Sequence, residues 1–283
     1  MPGLAPCDPI LTAPLFAPLG DELLALLRAL DAEEWRKPTV APGWSVQDVA
    51  AHLLDTAWRR LASERDGHAL PPDRAVASYE DLVDFLNDLN RAWVASWRRV
   101  SPRLLIEALE SAERGLAAHL RTVDPWAAAR FSVAWAGEEV SLNWFDQARE
   151  LTERWHHQQQ IRLAVGAPAL DDPRFSRPVL ETFLRVLPRR YAAIERPEGT
   201  ALGLEIEGAE RYSFALRRDG SAWSLLGGRP ADPAVAVTLA EQDAWLMLTK
   251  GLSGDAARDR STVVGDTALA APLFGALAIM ARE

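Results

Sequence analysis

The sequence predicts an α+β protein, a helical N-terminal part followed by a smaller α+β part. Three observations carry that prediction. Apolar residues recur at spacings of three and four from Leu15 to about Ala193. From Glu195 onward the spacing shortens to two, as in Leu202, Leu204, Ile206 and again in Tyr212, Phe214, Leu216. A turn signal, Asp219-Gly220, falls between alternating runs.

The elements follow in order. Leu15 to Leu30 reads as a first helix through Leu19, Leu23, Leu26, Leu27 and Leu30, and Lys37-Pro38 closes the segment after it. In "PGWSVQDVAAHLLDTAWRRLASERDG" Ser45 is an N-cap, Asp48 an acid in the first turn, and Gly67 the stop. Val46, Val49, Ala50, Leu53 and Ala57 make its apolar face, with His52 at the edge. A third helix runs from Tyr79 to about Arg99 behind Ser78, and a fourth from Pro102 to about Thr122 behind Ser101, with proline at its favoured first position. "ARFSVAWAGEEVS" reads as irregular or extended, and Ser141 to Val165 as a fifth helix ended by Gly166-Ala167-Pro168. One further helix is expected over roughly Arg177 to Ala193. Then come the alternating strands, a strand leading into a helix in "AVAVTLAEQDAWLMLTKGL", and a closing helix in "ALAAPLFGALAIMA". The domain boundaries expected are 1–170 for the helical bundle, 171–198 for a connecting helix and 199–283 for the α+β domain.

Composition removes several function classes. With 283 residues, 48% hydrophobic and 25% charged, the chain can bury a real core. A net charge of −9, with basic residues dispersed among acids, argues against a nucleic-acid partner. Cys7 is the single cysteine, so neither an intramolecular disulfide nor a cysteine metal cluster can form. No run of about 18 apolar residues offers a membrane span, and the proline-rich start reads poorly as a signal peptide. A soluble cytoplasmic protein, monomer or homodimer, is the expectation.

The fifth helix carries the candidate chemistry. At about 100° per residue, Asp146, Glu150, His157 and Gln160 fall within about 60° of Glu153, while Trp144, Ala148, Leu151 and Trp155 lie opposite. Periodicity alone favours a polar stripe facing water and a tryptophan stripe facing the core. Against that, Glu153 and His157 are one turn apart and can reach a common ion, and His52 on another helix could be a third ligand. Two imidazoles and a carboxylate with one coordination position open is the arrangement of a catalytic zinc site, where water or a thiol bound to the ion loses its proton easily. Glu-x-x-x-His is nonetheless common on helices by chance.

"PGWSVQDVAAHLL" (42–54) and "RELTERWHHQQQIRLAVG" (149–166) together resemble the two signature helices of the DinB-like superfamily, in its mycothiol-dependent maleylpyruvate isomerase branch. The resemblance implies a metal-binding four-helix bundle followed by a smaller domain like sterol carrier protein, with which residues 200–283 are consistent. It places the metal ligands on His52, Glu153 and His157, with zinc the usual ion and nickel, iron or manganese the other candidates. It implies a low-molecular-weight thiol, mycothiol or a bacillithiol-like compound, as cosubstrate for attack on a small electrophile, giving isomerisation or thiol transfer. It further implies an arginine of the second domain against an anionic substrate, for which Arg211, Arg217, Arg218 and Arg229 are candidates. The chain departs from the pattern at Gln160, where the family commonly has aspartate. His156, adjacent to His157, leaves a question of register, and His157 lies nearer the stripe. The competing readings are a non-catalytic binding or regulatory module and a metal-dependent hydrolase. The plain readings of other residues are Ser45 as a cap, Trp44 as a packing aromatic, His68 and His119 as surface histidines and Cys7 as a bystander.

Overall fold

A computed structural model describes residues 3–280. The helices are α1 (Phe16–Ala29), α2 (Val46–Arg60), α3 (Tyr79–Trp97), α4 (Pro102–Leu120) and α5 (Asn143–Val165), then α6 (Pro173–Leu184) and the short α7 (Leu187–Arg190). Their starts lie where the capping chemistry puts them. Ser45 and Ser78 each close a reciprocal capping box with the aspartate three residues on, and Ser101 caps α4 ahead of Pro102. Past Arg60 the helix of α2 widens into a π turn over Leu61–Arg65 before Gly67. α5 stops at Gly166, whose φ of 73° is a left-handed conformation that glycine adopts without penalty.

Two helix expectations need correction. The helix expected over 177–193 begins earlier, at Pro173 behind the Asp172 cap, and ends at Leu184; α7 follows with Pro188 in its first turn, where the missing N–H is not needed. The expected closing helix is a single turn, α10 (Thr267–Ala270), running into a 3-10 turn (Ala271–Gly275) at Pro272. Its last expected residue, Ala281, lies outside the described residues.

The fold is α+β, with a six-stranded sheet in the order β1-β4-β3-β2-β5-β6. Strands β2 (Ala201–Glu207), β3 (Arg211–Asp219) and β4 (Ala222–Gly227) form an antiparallel meander, the last turn made at Gly220. β5 (Val235–Ala240) pairs with β2 in parallel and runs into α8 (Glu241–Leu248), and α9 (Gly254–Arg260) leads to the edge strand β6 (Thr262–Gly265). The opposite edge is β1 (Ala5–Pro6), so the start of the chain is tied to the sheet formed by its end. Among the described residues no helix is long and apolar enough to cross a membrane.

One continuous apolar core joins helices and sheet. α2 packs against α3, α4 and α5, and α5 also touches α1 and α6. Leu53 and Leu54 of α2 and Leu151 of α5 are fully covered, each contributing about 1.5–3 kcal/mol by leaving water. α5, roughly 35 Å long, is buried on nearly all sides. This is the scaffold that holds the site.

Candidate metal centre

The polar stripe of α5 does not face water. Asp146, Glu150, His157 and Gln160 are all buried. Periodicity could not foresee this, because the groups that satisfy the stripe lie on other helices. Arg60 of α2 reaches Asp146 and bonds Glu150 at 3.2 Å. Arg154 bonds Glu113 of α4 at 2.8 Å and Glu150 at 3.1 Å, and donates to the Leu53 carbonyl and the Thr56 hydroxyl of α2. Burial, then Arg149 and Arg60, act on Asp146, and the two arginines prevail, holding its carboxyl below the usual range. Buried charges persist only when paired in this way.

One turn further along, the arginines stop. Glu153 Oε1 stands 2.7 Å from His52 Nε2 and 3.2 Å from His157 Nε2, and donor atoms of the three residues lie within 4.8 Å of one another. Among the described residues, Glu153 has hydrogen bonds and ion pairs to these two imidazoles alone. His52 is held by the rigid start of α2, where Arg98 grips the Asp48 carboxylate through two bonds of 2.8 and 2.9 Å. Burial pushes its pKa down to about 4, so it is a neutral imidazole at pH 7. Burial raises Glu153, but the charge and hydrogen bond of His157 and then those of His52 overrule it and keep the carboxylate well below its ordinary range. A partly buried carboxylate facing two imidazoles, one of them neutral, suits a divalent cation, and two nitrogens and an oxygen suit zinc. The buried Nδ1 of His52 has no hydrogen-bond partner among the described residues, so no outer group fixes its tautomer from that side.

Trp44 roofs this cluster. Its ring centroid lies 5.0 Å from that of His52 and 6.3 Å from that of His157. It is fixed by its carbonyl, which accepts from the Thr39 N–H and hydroxyl, in the turn that Gly43 makes at φ 78°. Reading Trp44 only as packing before a helix missed this role, though its place in "PGWS" was the available signal. His156 does not join the cluster. It turns toward the sheet, where the Trp245 indole of α8 donates to its Nδ1 at 2.8 Å. Gln160 spans the two histidines, its Oε1 placed 2.8 Å from His157 Nδ1 and its Nε2 3.0 Å from His156 Nε2. Trp245 carries no sequence signal of any kind.

Three of the four candidate arginines of the second domain are ion-paired, whereas the buried Nε and Nη1 of Arg218 have no hydrogen-bond partner among the described residues. Arg211 pairs with Glu207, Arg217 with Asp219 at 2.8 Å and Arg229 with Glu205 at 3.4 Å, while Arg218 lies over the Trp223 ring. A cleft of about 380 Å³ separates the end of α5 from the sheet, and Arg162, from α5 itself, lines it beside Trp155, Gln159 and Trp245. Gln159 is about 200° around the helix from His157, so this cleft opens on the face opposite the metal cluster. Of the expected surface histidines, His68 is exposed, but His119 is largely covered beside Glu64 at 3.3 Å. Cys7 is half-buried and its thiol is pushed up to about 11 by burial, consistent with a bystander.

The family profile described as the mycothiol maleylpyruvate isomerase N-terminal domain matches residues 16–162, just over half of the chain. The chain belongs to this family. An uncharacterized protein of Mycobacterium tuberculosis, found in two strains, is 27% identical over 233 residues, 81% of each chain. Crystal structures of the mycothiol-dependent maleylpyruvate isomerase and of a histidine-to-alanine mutant of it share the fold, with TM-scores of 0.53 and 0.52. Each is 15% identical and aligns with 89% of this chain and 90% of its own. The family match covers the helical part, and the shared fold reaches across both the helical part and the sheet.

Proposed function

We propose that the protein is a metal-dependent, thiol-using enzyme of the maleylpyruvate isomerase type, with His52, Glu153 and His157 as the metal ligands. The observation that carries this reading is Glu153, a carboxylate whose polar partners are two imidazoles from two helices. A divalent ion held there would lower the pKa of a sulfur ligand and keep a thiol as thiolate at neutral pH.

The chain's own residues do the rest. His52 offers a lone pair from a neutral ring, and Glu153 contributes the negative charge that offsets part of the ion's. Trp44 shields one side of the cluster and strengthens its electrostatics by excluding water. The Glu153 side chain, 25% exposed against 6% for His52, marks the side from which small molecules reach the site. The thiol is a low-molecular-weight compound of the mycothiol type, and the electrophile a small activated alkene. Sulfur adds to one alkene carbon, the remaining carbon–carbon bond rotates, and the same carbon–sulfur bond breaks, so the thiol is regenerated and the alkene changes geometry.

The test is thiol-dependent cis-trans isomerisation of maleylpyruvate by the zinc-loaded protein. Turnover that requires both mycothiol and metal, and is lost in His52→Ala, is the expected result. Metal-dependent ester or amide hydrolysis without any thiol would instead make the protein a hydrolase.

A further inference from the structure

The hydrogen bonds on the far side of His157 form a chain whose direction is set at one end. An indole N–H can only donate, so at the Trp245–His156 contact the Nδ1 of His156 must be the acceptor. An imidazole with a lone pair at Nδ1 carries its hydrogen at Nε2. That hydrogen stands 3.0 Å from Gln160 Nε2, donor against donor, and all three side chains are buried, so the amide as placed must be turned to present its oxygen to His156. The oxygen and nitrogen ends of an amide fill the same space, and the partners decide which lies where. Turning the amide puts its –NH2 where Oε1 stands, 2.8 Å from His157 Nδ1, so that this ring nitrogen accepts. His157 thus carries its hydrogen at Nε2 and donates it to Glu153, 3.2 Å away.

We infer that Gln160 is a positioning residue that sets the tautomer of His157: relayed from Trp245 through His156, its amide holds the metal-facing nitrogen of His157 as N–H in the metal-free protein. Resting on the metal reading above, the consequence is that ion capture is coupled to this relay. Coordination through His157 Nε2 moves the hydrogen to Nδ1, where it meets the –NH2 of Gln160. Turning the amide only moves the mismatch, because –NH2 then meets the N–H of His156, which Trp245 prevents from switching. One donor stays unsatisfied as long as residue 160 is an amide. A carboxylate of the same shape would accept from both histidines and remove the conflict, so Gln160 weakens metal binding relative to Glu by roughly tenfold or more.

Two measurements test this. Nitrogen-15 NMR of the metal-free protein reads the tautomers directly: His157 is expected as Nε2–H in the wild type and as Nδ1–H in Gln160→Glu. Trp245→Phe, which removes the donor that starts the relay, is expected to let the Nδ1–H form of His157 appear, a shift that a merely space-filling tryptophan would not produce. Competition with a chelator is expected to show zinc bound at least tenfold tighter by Gln160→Glu than by the wild type. A wild-type His157 found as Nδ1–H, or zinc affinity unchanged or weakened in Gln160→Glu, overturns the inference. Tautomers as assigned, with no zinc taken up by either protein, would uphold the relay and remove the metal reading instead.

Discussion

Two halves of one helix face behave differently. Along α5, Asp146 and Glu150 in the first half and Glu153 and His157 in the second lie on one stripe, all buried except Glu153, which is partly exposed. The first half is neutralised by Arg60, Arg149 and Arg154, and its charges are consumed in holding α2, α4 and α5 together. In the second half, among the described residues, no arginine pairs with the carboxylate, and two imidazoles face it. Burial by itself therefore says little about function; the kind of partner a buried carboxylate is given separates scaffold from site.

The comparison is broken most forcefully in the first half. Arg154→Met strands the buried carboxylate of Glu113 and takes one of the arginine partners from Glu150, and is expected to cost about 3–5 kcal/mol, read from urea unfolding of the metal-free protein. Glu153→Gln is expected to do the opposite. It abolishes stoichiometric zinc uptake, measured by elemental analysis, while changing metal-free stability by less than about 1 kcal/mol, since no buried cation is left unpaired. Equal destabilisation by the two variants would erase the distinction between the halves.

Legibility in the sequence follows the same division. Local chemistry was readable: the serine caps of α2, α3 and α4, the Gly166 stop, and the change of period at the sheet depend on neighbours in the chain. The juxtaposition of His52 with Glu153 and His157 was also foreseen, from one turn of helix and a resemblance. What could not be read depends on distant partners. Arg60 and Glu113, on α2 and α4, turn a stripe that looks solvated into a buried network, and Trp245, on α8, decides what His156 does. The breaks near Pro188 and Pro272 were in the sequence but were overrun by apolar periodicity that continued past them.

Smaller effects sharpen the contrast. Trp44→Ala opens one side of the cluster to water and is expected to weaken zinc binding several-fold with the fold intact, as measured by chelator competition and circular dichroism. Acid should loosen the metal-free protein through His52 of α2, which faces the second half of α5. An unfolded histidine takes up its proton below about 6.5, whereas native His52 resists until about 4. The unfolded state then binds more protons, so stability falls as pH drops from about 6.5 toward 4. His52→Gln should flatten that part of a pH series of urea melts.

Zinc stoichiometry in four purified proteins tests the division of α5 most directly. Wild type and His156→Ala are expected to bind one equivalent of zinc, and His52→Ala and His157→Ala none. Zinc retained by His52→Ala and His157→Ala, or lost only in His156→Ala, would contradict the assignment of this half of the helix as a metal site.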